Sequence, residues 1–446
     1  MSQFDFGTIN PDLQSGTQLA SDMNSWRDAL HSMHRGSSRP SYIVAGMMWI
    51  DDTTNPWLIK MYSGTTDTVL ASFNTTTGVF GGSANGLATL GSDGKVPSGQ
   101  LPDMTPDPYA FFKASSASVA FTKTAAATAS VKAGTKIMVG TTLVTFAIAT
   151  AIIMPTLTGG TDYAIYACDD GTCRADASFT NPTGYTTVNS RLIGGFHYGL
   201  VAAGTTVAGG SFATTGNGMI WTQTDVDRIA GINEFSLWDL KWRPQCDPKG
   251  MALVSGRIWV DIYFCGTNHT TNGTSKAGTD IASGTVLPKK PLEFGGNGTT
   301  TYAAPKWWDF VEIVNAYKKR LMREQEFVLA AFGVTENQSI DAVASTYPTT
   351  QRNAGYTSKY GIEQASGHHW TWGDDTGQYG ESWAYADVNG GRGQLYTTNY
   401  TTKVILGGGR TSGAYSGSRC SSWVYDPWSV DWYFGVRAAC DHLVLV

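Results

Sequence analysis

The sequence predicts a multidomain chain: an N-terminal region with one helix, a β-sandwich-like middle domain and an α+β C-terminal domain. Three observations carry this reading. One amphipathic stretch lies near the start, short alternating strands fill the middle, and two helical stretches stand among short strands and long loops in the last half. The 446 residues suffice for two or three domains with a sizeable buried core.

Residues 1–85 form the first region. Asn10-Pro11 and Ser15-Gly16 precede a helix, and Gly36 is its expected stop. Leu19, Met23, Trp26, Leu30 and Met33 recur at alternating steps of four and three. That two-heptad seam suits identical helices packed around an axis, and it equally suits an amphipathic helix lying on its own sheet. Strand-like runs follow at Tyr42 to Ile50 and Trp57 to Tyr62. Residues 86–108 read as a linker, because the stretch SANGLATLGSDGKVPSGQLP (83–102) is dense in Gly, Ser, Asp and Pro and has little apolar surface to bury.

Residues 109–213 form the middle domain. Val119-Ala120-Phe121, Ser130-Val131-Lys132, Lys136 to Val139 and Tyr163 to Tyr166 are strand-sized and separated by Gly-, Thr- or Asp-rich turns. No helix longer than a turn is expected there. Residues 214–446 form the last domain. Phe310, Ile313, Val314 and Tyr317 share one face of a helix over Trp308 to Lys319, and a second helix runs near Arg323 to Phe332. Strands are expected at Gly256 to Phe264 and Phe434 to Val436, with an apolar end at Val444 to Val446. Helices among short strands make an α+β arrangement.

Composition narrows the function classes. The net charge of -5 and a pI near 5.8 favour neither nucleic acid nor an anionic membrane as partner. Charged residues are 15% of the chain, well under about a quarter. Alongside stand 52 Gly, 15 Trp and 20 Tyr, a mixture that supplies turns and low-entropy interface area, as in an extracellular β-rich particle component. The start MSQFDFGTIN lacks the basic residues and apolar run of a secretory signal. The most apolar stretch, Leu143 to Pro155, falls short of the roughly 18 residues of a membrane span. Cys168 and Cys173 flank the turn Asp169 to Thr172, as a pair across a hairpin would. The absence of a Cys-x-x-Cys pair or a nearby His speaks against zinc, and free buried thiols are expected for all six cysteines.

Several stretches resemble known families. GLATLGSDGKVPSGQLP is similar to a joint found in phage tail fibres, and FDFGTINP and MMWIDDTTNPW resemble fibre attachment ends. KKRLMREQEFVLAAFG, HHWTWGDD, the GGRG of Gly390 to Gly393 and the final GGGRTSGAYSGSRCSSWVYDPWSVDWYFGVRAACDHLVLV follow the order of C-type-lectin-fold domains of the formylglycine-generating-enzyme type. From about Phe111 onward the chain resembles the major tropism determinant family, receptor-binding tail-fibre proteins whose genes a retroelement diversifies. The matching stretches include VAFTKTAAATASVKAGT, MPTLTGGTDYAIYACDDGT, PTGYTTVNSRLIGGFHY, NEFSLWDLKWRP and FGVRAACDHL. The first hundred or so residues do not share that family's short start.

The resemblance implies a virion protein at a tail-fibre tip, made in the host cytoplasm. It would bind a host bacterial surface receptor, a protein, and set host tropism. Its partners would be that receptor, other phage tail or baseplate proteins and two more copies of itself in a homotrimer, with no nucleic acid and no membrane insertion. It further implies a variable, receptor-facing set at Gly409, Thr411, Ser412, Gly413, Tyr415, Ser422, Val424, Tyr425, Ser429, Asp431, Tyr433 and Phe434. Diversified adenines in AAC or AAT codons yield Phe, Tyr, Ser, Thr, Gly, Val and Asp but never Trp, Met, Lys, Glu or Gln, and all twelve positions comply. Trp423, Trp428 and Trp432 cannot arise this way and are fixed scaffold or fixed contacts, with Trp423 expected in the core. Tyr415, Tyr425, Tyr433 and Phe434 stand among small polar residues and are expected to be exposed, as in paratopes built from Tyr, Ser and Gly. Arg410 stands where the family carries a Trp.

Other chemistry is weaker. Cys420 and Cys440 are far apart in sequence and read as small buried residues, so no catalysis is expected. The alternative is a fibre-borne enzyme acting on surface polysaccharide. His368-His369 reads as a hydrogen-bonded core pair. No cofactor is expected; Asp374-Asp375, Asp426 and Asp441-His442 are the candidate ligands for a structural divalent cation. No Ser-His-Asp order, P-loop or Rossmann fingerprint occurs.

Overall fold

A computed structural model describes residues 3–5, 7–82, 110–206, 221–340, 348–387 and 394–443, with residues 379–383, 386–387 and 394–400 described as backbone alone. The expected linker at 86–108, the GGRG loop and Val444 to Val446 lie outside the described residues. The chain divides into two units, Met1–Thr105 and Pro106–Val446. Both are mostly β with few helices, and no described helix is long and apolar enough to cross a membrane.

In the first unit, α1 (Gly16–His31) starts at Ser15, whose hydroxyl accepts from the Gln18 N–H. The helix ends five residues before the expected stop at Gly36, because Met33 and His34 both take a positive φ. Four strands form an antiparallel meander: β1 (Met48–Asp51), β2 (Trp57–Tyr62), β3 (Asp67–Phe73) and β4 (Phe80–Gly82). The strand expected at Tyr42 to Ile50 is shorter, since a turn closes at Gly46.

The second unit begins with three small sheets around one core. The strands are β5 (Phe111–Phe112), β6 (Phe121–Ala125), β7 (Thr128–Val131), β8 (Thr135–Val139), β9 (Thr142–Phe146), β10 (Thr150–Ala151), β11 (Thr161–Cys168), β12 (Cys173–Asp176) and β13 (Ser190–Tyr198). Alternate residues such as Ile137 and Val139 point inward to Phe121, Val131, Ile165, Ile193 and Phe196, as the period of two dictates. The Lys113 ammonium and Asp239 carboxylate are buried 2.9 Å apart, and Asp239 also accepts the Ala120, Lys241 and Trp242 N–H groups. Such multiple bonding offsets the desolvation of a buried charge.

The remainder continues with α2 (Gln223–Ile229), β14 (Trp238–Asp239), β15 (Met251–Val254), β16 (Ile258–Asp261), the single turn α3 (His269–Asn272), α4 (Trp307–Asn315), β17 (Arg320–Leu321) and α5 (Glu324–Ala330). A long hairpin follows, β18 (Trp370–Asp387) with β19 (Gln394–Leu406), and the chain closes with β20 (Ser421–Ser422), β21 (Phe434–Gly435) and β22 (Ala438–Asp441). The short helix α2 carries a capping box between Thr222 and Asp225. The helix α4 stops at Asn315, short of the expected Lys319, where Lys318 turns to positive φ. Phe310, Ile313 and Val314 on its inner face meet Trp307, Trp372 and Val436 in one core.

Two sheets carry the terminal region, ordered β15-β16-β22-β17 and β20-β19-β18-β21. The buried guanidinium of Arg437 ties them to the segment behind, donating to the carbonyls of Asp261, Ile262 and Glu363. All six cysteines are free thiols, five of them buried.

Candidate functional site

The stretch from Gly407 to Tyr433 leaves the end of β19 and crosses the sheet before returning as β21. Gly407 and Gly408 take φ of 93° and 87°, which turns the chain out of the sheet. A Cβ on Gly407 would stand 2.7 Å from the Phe327 ring, so the backbone lies directly against α5. Gly409 and Ser412 close a tight turn, with the Ser412 N–H on the Gly409 carbonyl and the Gly409 N–H on the Ser412 hydroxyl.

Three residues after α5 brace this loop. The Glu336 carboxylate accepts the Ser418 N–H at 2.9 Å and the Ser418 hydroxyl. The Asn337 N–H donates to the Ser416 carbonyl, and the Ser339 hydroxyl accepts the Gly413 N–H at 3.0 Å. Gly417 is required here: a Cβ would meet the Glu336 carboxylate at 2.0 Å, and its φ is 150°. Further on, Ser421 and Ser422 pair with Leu406 and Ile405, and the Asp426 carboxylate caps its own turn through the Trp428 N–H. The Trp370 N–H donates to the Tyr433 carbonyl, where β21 joins β18 in parallel.

These elements enclose an open cleft of about 1350 Å³. Seven of the twelve expected contact residues line it: Gly409, Thr411, Ser412, Tyr415, Ser422, Tyr425 and Tyr433. Tyr415 is 79% exposed and stands at the rim, whereas Tyr425 and Tyr433 are half-buried with their rings against the core. Burial, with the Tyr425 hydroxyl alongside, pushes the Tyr433 phenol well above its ordinary value. Outside the cleft lining, Gly413 and Val424 are exposed and Ser429 and Asp431 half-buried.

Two expectations fail outright, and the exposure expected of Tyr425 and Tyr433 is met only in part. Phe434 is not exposed but 2% accessible, with its ring 4.9 Å from both Trp372 and Tyr425. The cause is register: β21 places Phe434 opposite Trp370, and Phe434, Val436 and Ala438 all face the core. Trp423 is not core but 38% exposed, its indole N–H on the Ser421 hydroxyl and its ring against Gly377.

The opposite wall comes from residues that the sequence reading missed: Val328, Leu329, Phe332, Glu336 and Asn337. Leu329 and Phe332 are exposed apolar side chains on the outer face of α5 and its end. The signal was present, because residues 327–332 are apolar all round the helix, more than one inner face needs.

The cleft is lined mainly by small, hydroxyl-bearing and aromatic side chains. Its one thiol, Cys420, is pushed up to about 11 by burial and by nearby Glu336, away from the reactive thiolate. Beneath the loop, burial brings the Arg410 guanidinium down to about 10, and Arg410 lies over the Trp432 ring. Burial, reinforced by Arg410, holds His369 well below its ordinary value, so it is neutral; its Nδ1 meets the Nδ1 of His368 at 2.8 Å.

The candidate cation ligands are not brought together. Asp375 accepts from the Glu324 N–H, Asp426 caps its turn, Asp441 pairs with Arg320, and His442 accepts from Trp259. Among the described residues no three His, Cys, Asp or Glu side chains form a metal-sized cluster.

Comparison with known proteins places the chain. A family model described as the Mtd second domain matches residues 119–222. A tail fiber receptor-binding protein of Bordetella phage BPP-1 is 45% identical over 345 residues, 75% of this chain and 85% of that one. The solved U1 and M1 variants of Major Tropism Determinant each superpose with a TM-score of 0.70 at 37% identity, covering 94% of this chain and 98% of theirs. The I1 variant gives 0.68 at 38% identity, with the same coverage.

Proposed function

This chain belongs to the major tropism determinant family of phage tail-fibre receptor-binding proteins, and we propose that it forms a fibre tip that grips a protein on the host surface. The last domain, in this reading, is a C-type-lectin-like scaffold (214–446) that holds the loop from Gly409 to Tyr433 toward the receptor. Residues 109–213 act as a spacer and residues 1–85 as the attachment region, with a linker between. The loop is the diversified segment and sets tropism.

One observation carries the proposal. A single cleft gathers seven of the twelve positions that the family resemblance marks as variable, with Tyr415 standing free at its rim. Tyr side chains supply rigid contact area at low entropy cost, and the surrounding Ser, Thr and Gly adapt to different partners. Phe434 has a different part in this reading: it supports Tyr425 and Tyr433 from below.

A single face of this kind is smaller than the roughly 800 Å² per partner of a standard interface. A homotrimer, joined to the tail by its N-terminal regions, gains through effective concentration. The protein acts by binding, without catalysis.

The test compares virions carrying the native chain with virions carrying Tyr415→Ala, Tyr425→Ala and Tyr433→Ala together. Adsorption to the propagating strain should be lost while circular dichroism and assembly stay native. Undiminished adsorption overturns the assignment. Release of soluble sugar from capsule or lipopolysaccharide by the native chain would favour an enzyme instead. At the DNA level, a near-identical adenine-rich copy of the coding sequence for the loop, beside a reverse-transcriptase gene, is expected.

A further inference from the structure

Two cysteines far apart in sequence meet at the end of β22. Pro244 and His442 form an antiparallel bridge, with the Gln245 N–H on the Asp441 carbonyl at 3.1 Å and the Leu443 N–H on the Arg243 carbonyl at 2.8 Å. Those bonds flank the bridge, so Pro244 and His442 are a non-hydrogen-bonded pair. The ladder repeats every two residues, which sets Cys246 opposite Cys440 as the next pair of the same kind. The Cα atoms of such a pair stand about 4.5 Å apart with side chains on one face, within the roughly 4.4–6.8 Å that a disulfide bridges.

The side chains agree. Cys246 and Cys440 share one core cluster with Met251 and Trp259, and the interaction between the two thiols is the largest acting on either. As donors they make only long bonds, Cys246 to the Met251 sulfur and the Asp247 carbonyl at 3.6 Å, Cys440 to the Lys318 carbonyl at 3.8 Å. Cys168 and Cys173, the pair that spacing suggested, are placed otherwise. Cys173 stands opposite Ala167, and successive residues of a strand alternate faces, so Cys168 and Cys173 point to opposite sides of their sheet.

We propose that Cys246 and Cys440 close a disulfide once the chain meets an oxidant, pinning the last strand to the segment that joins β14 to β15. In the proposed role the chain works outside a cell, where disulfides persist. Both thiols are buried, 3% and 4% accessible, so the oxidant must be small, and hydrogen peroxide fits. One sulfur, as thiolate, attacks a peroxide oxygen; the O–O bond breaks, hydroxide leaves and a sulfenic acid remains. The second sulfur attacks the sulfenic sulfur, forming the S–S bond as the S–O bond breaks. The protons of the two thiols leave with the oxygens, so two thiols and one peroxide become one disulfide and two waters. The bond closes a loop holding every element from β15 to β21, and a loop of that length strongly restricts the unfolded chain.

The experiment uses the full chain, purified reduced and then treated with hydrogen peroxide. After acid quenching and unfolding, free thiols are alkylated and the tryptic peptides weighed. Alkylated cysteines should fall from six to four, with one new pair of peptides joined through Cys246 and Cys440. Cys246→Ser should give no joined pair. The joined chain should also melt roughly 5–10 °C above the reduced one, and reduction should erase the gain. Six alkylated cysteines after peroxide, or Cys440 carried on to a sulfinic acid beside a free Cys246, overturn the proposal. So does a joined chain that melts no higher, since the bond would then fasten nothing. No receptor enters the measurement, so a failure of adsorption through Tyr415, Tyr425 and Tyr433 leaves this reading intact.

Discussion

The loop that crosses the terminal sheet has two arms of opposite mechanical character. The arm from Gly409 to Ser418 is held from its side, by Glu336, Asn337 and Ser339, and leaves Tyr415 in solvent. The arm from Tyr425 to Phe434 is held from below, by the Phe434 ring seated against Trp372 and touching the rings of Tyr425 and Tyr433. Both are rich in aromatic and small residues, yet one presents its Tyr and the other hides its Phe. Burial here follows register against β18, not composition. The fold should thus tolerate substitution at the exposed Tyr415, while Phe434 is held in place by its neighbours.

The comparison can be broken by substitution, and the lower arm should give the largest effect. Phe434→Ala empties a filled site between Trp372, Tyr425 and Tyr433, and should cost about 3–5 kcal/mol in denaturant unfolding. A loss below about 0.5 kcal/mol, the range of surface changes, would mean the ring is not seated. In the upper arm, Glu336→Ala removes both bonds to Ser418, and leaving that backbone N–H unpaired should cost about 1–3 kcal/mol. Hydrogen exchange should rise at Ser416 to Ser418 and not at Phe434; equal exchange at both would erase the distinction between the arms.

The scaffold beneath has a pH signature of its own. Burial pushes the Glu363 carboxyl up from 4.5 to about 7, partly opposed by the Thr357 hydroxyl. Its raised folded value means that its contribution is fully present below about 4.5 and is lost as pH rises through about 7. His369 works in the other direction. Its lowered folded value gives a contribution present above 6.5 and lost as pH falls. Relative to the native chain, Glu363→Gln should therefore gain melting temperature as pH rises from 5 to about 7, and a pH-independent difference would contradict the assignment. The smallest stability effect belongs to Tyr415→Ala, which should stay within about 0.5 kcal/mol of native because the side chain touches little.

How much of this was legible depended on the local pattern. Residues 57–62, 135–139 and 161–168 alternate or run apolar between clear turns, and the strands fall there. The helices α4 and α5 followed from their apolar spacing, within the few residues by which a turn at Lys318 cut α4 short. The hairpin of β18 and β19 was not legible. Its sequence, TWGDDTGQYGESWAYAD, is broken by Gly and Asp, and its pairing shifts register twice. Phe434 was misread because its polar and aromatic neighbours upstream were weighed above the period of two that links it to Val436 and Ala438. Trp423 was misread in the opposite sense, since size suggested core for a side chain that lies against Gly377 and stays 38% exposed. The second wall of the cleft was hidden for a different reason: about ninety residues separate Phe332 from Tyr425, and only the fold brings them to one cleft.

The most direct measurement is a transplant of residues 407–434. The stretch would be replaced by the corresponding one from a family member whose phage infects a different strain, with the rest of the chain kept. If the proposed function holds, plaque formation should move to the donor's host, because the transplanted stretch carries the variable side of the cleft while the wall from α5 and Glu336 stays the same. An unchanged host range, with virions intact and the chain folded, would contradict it.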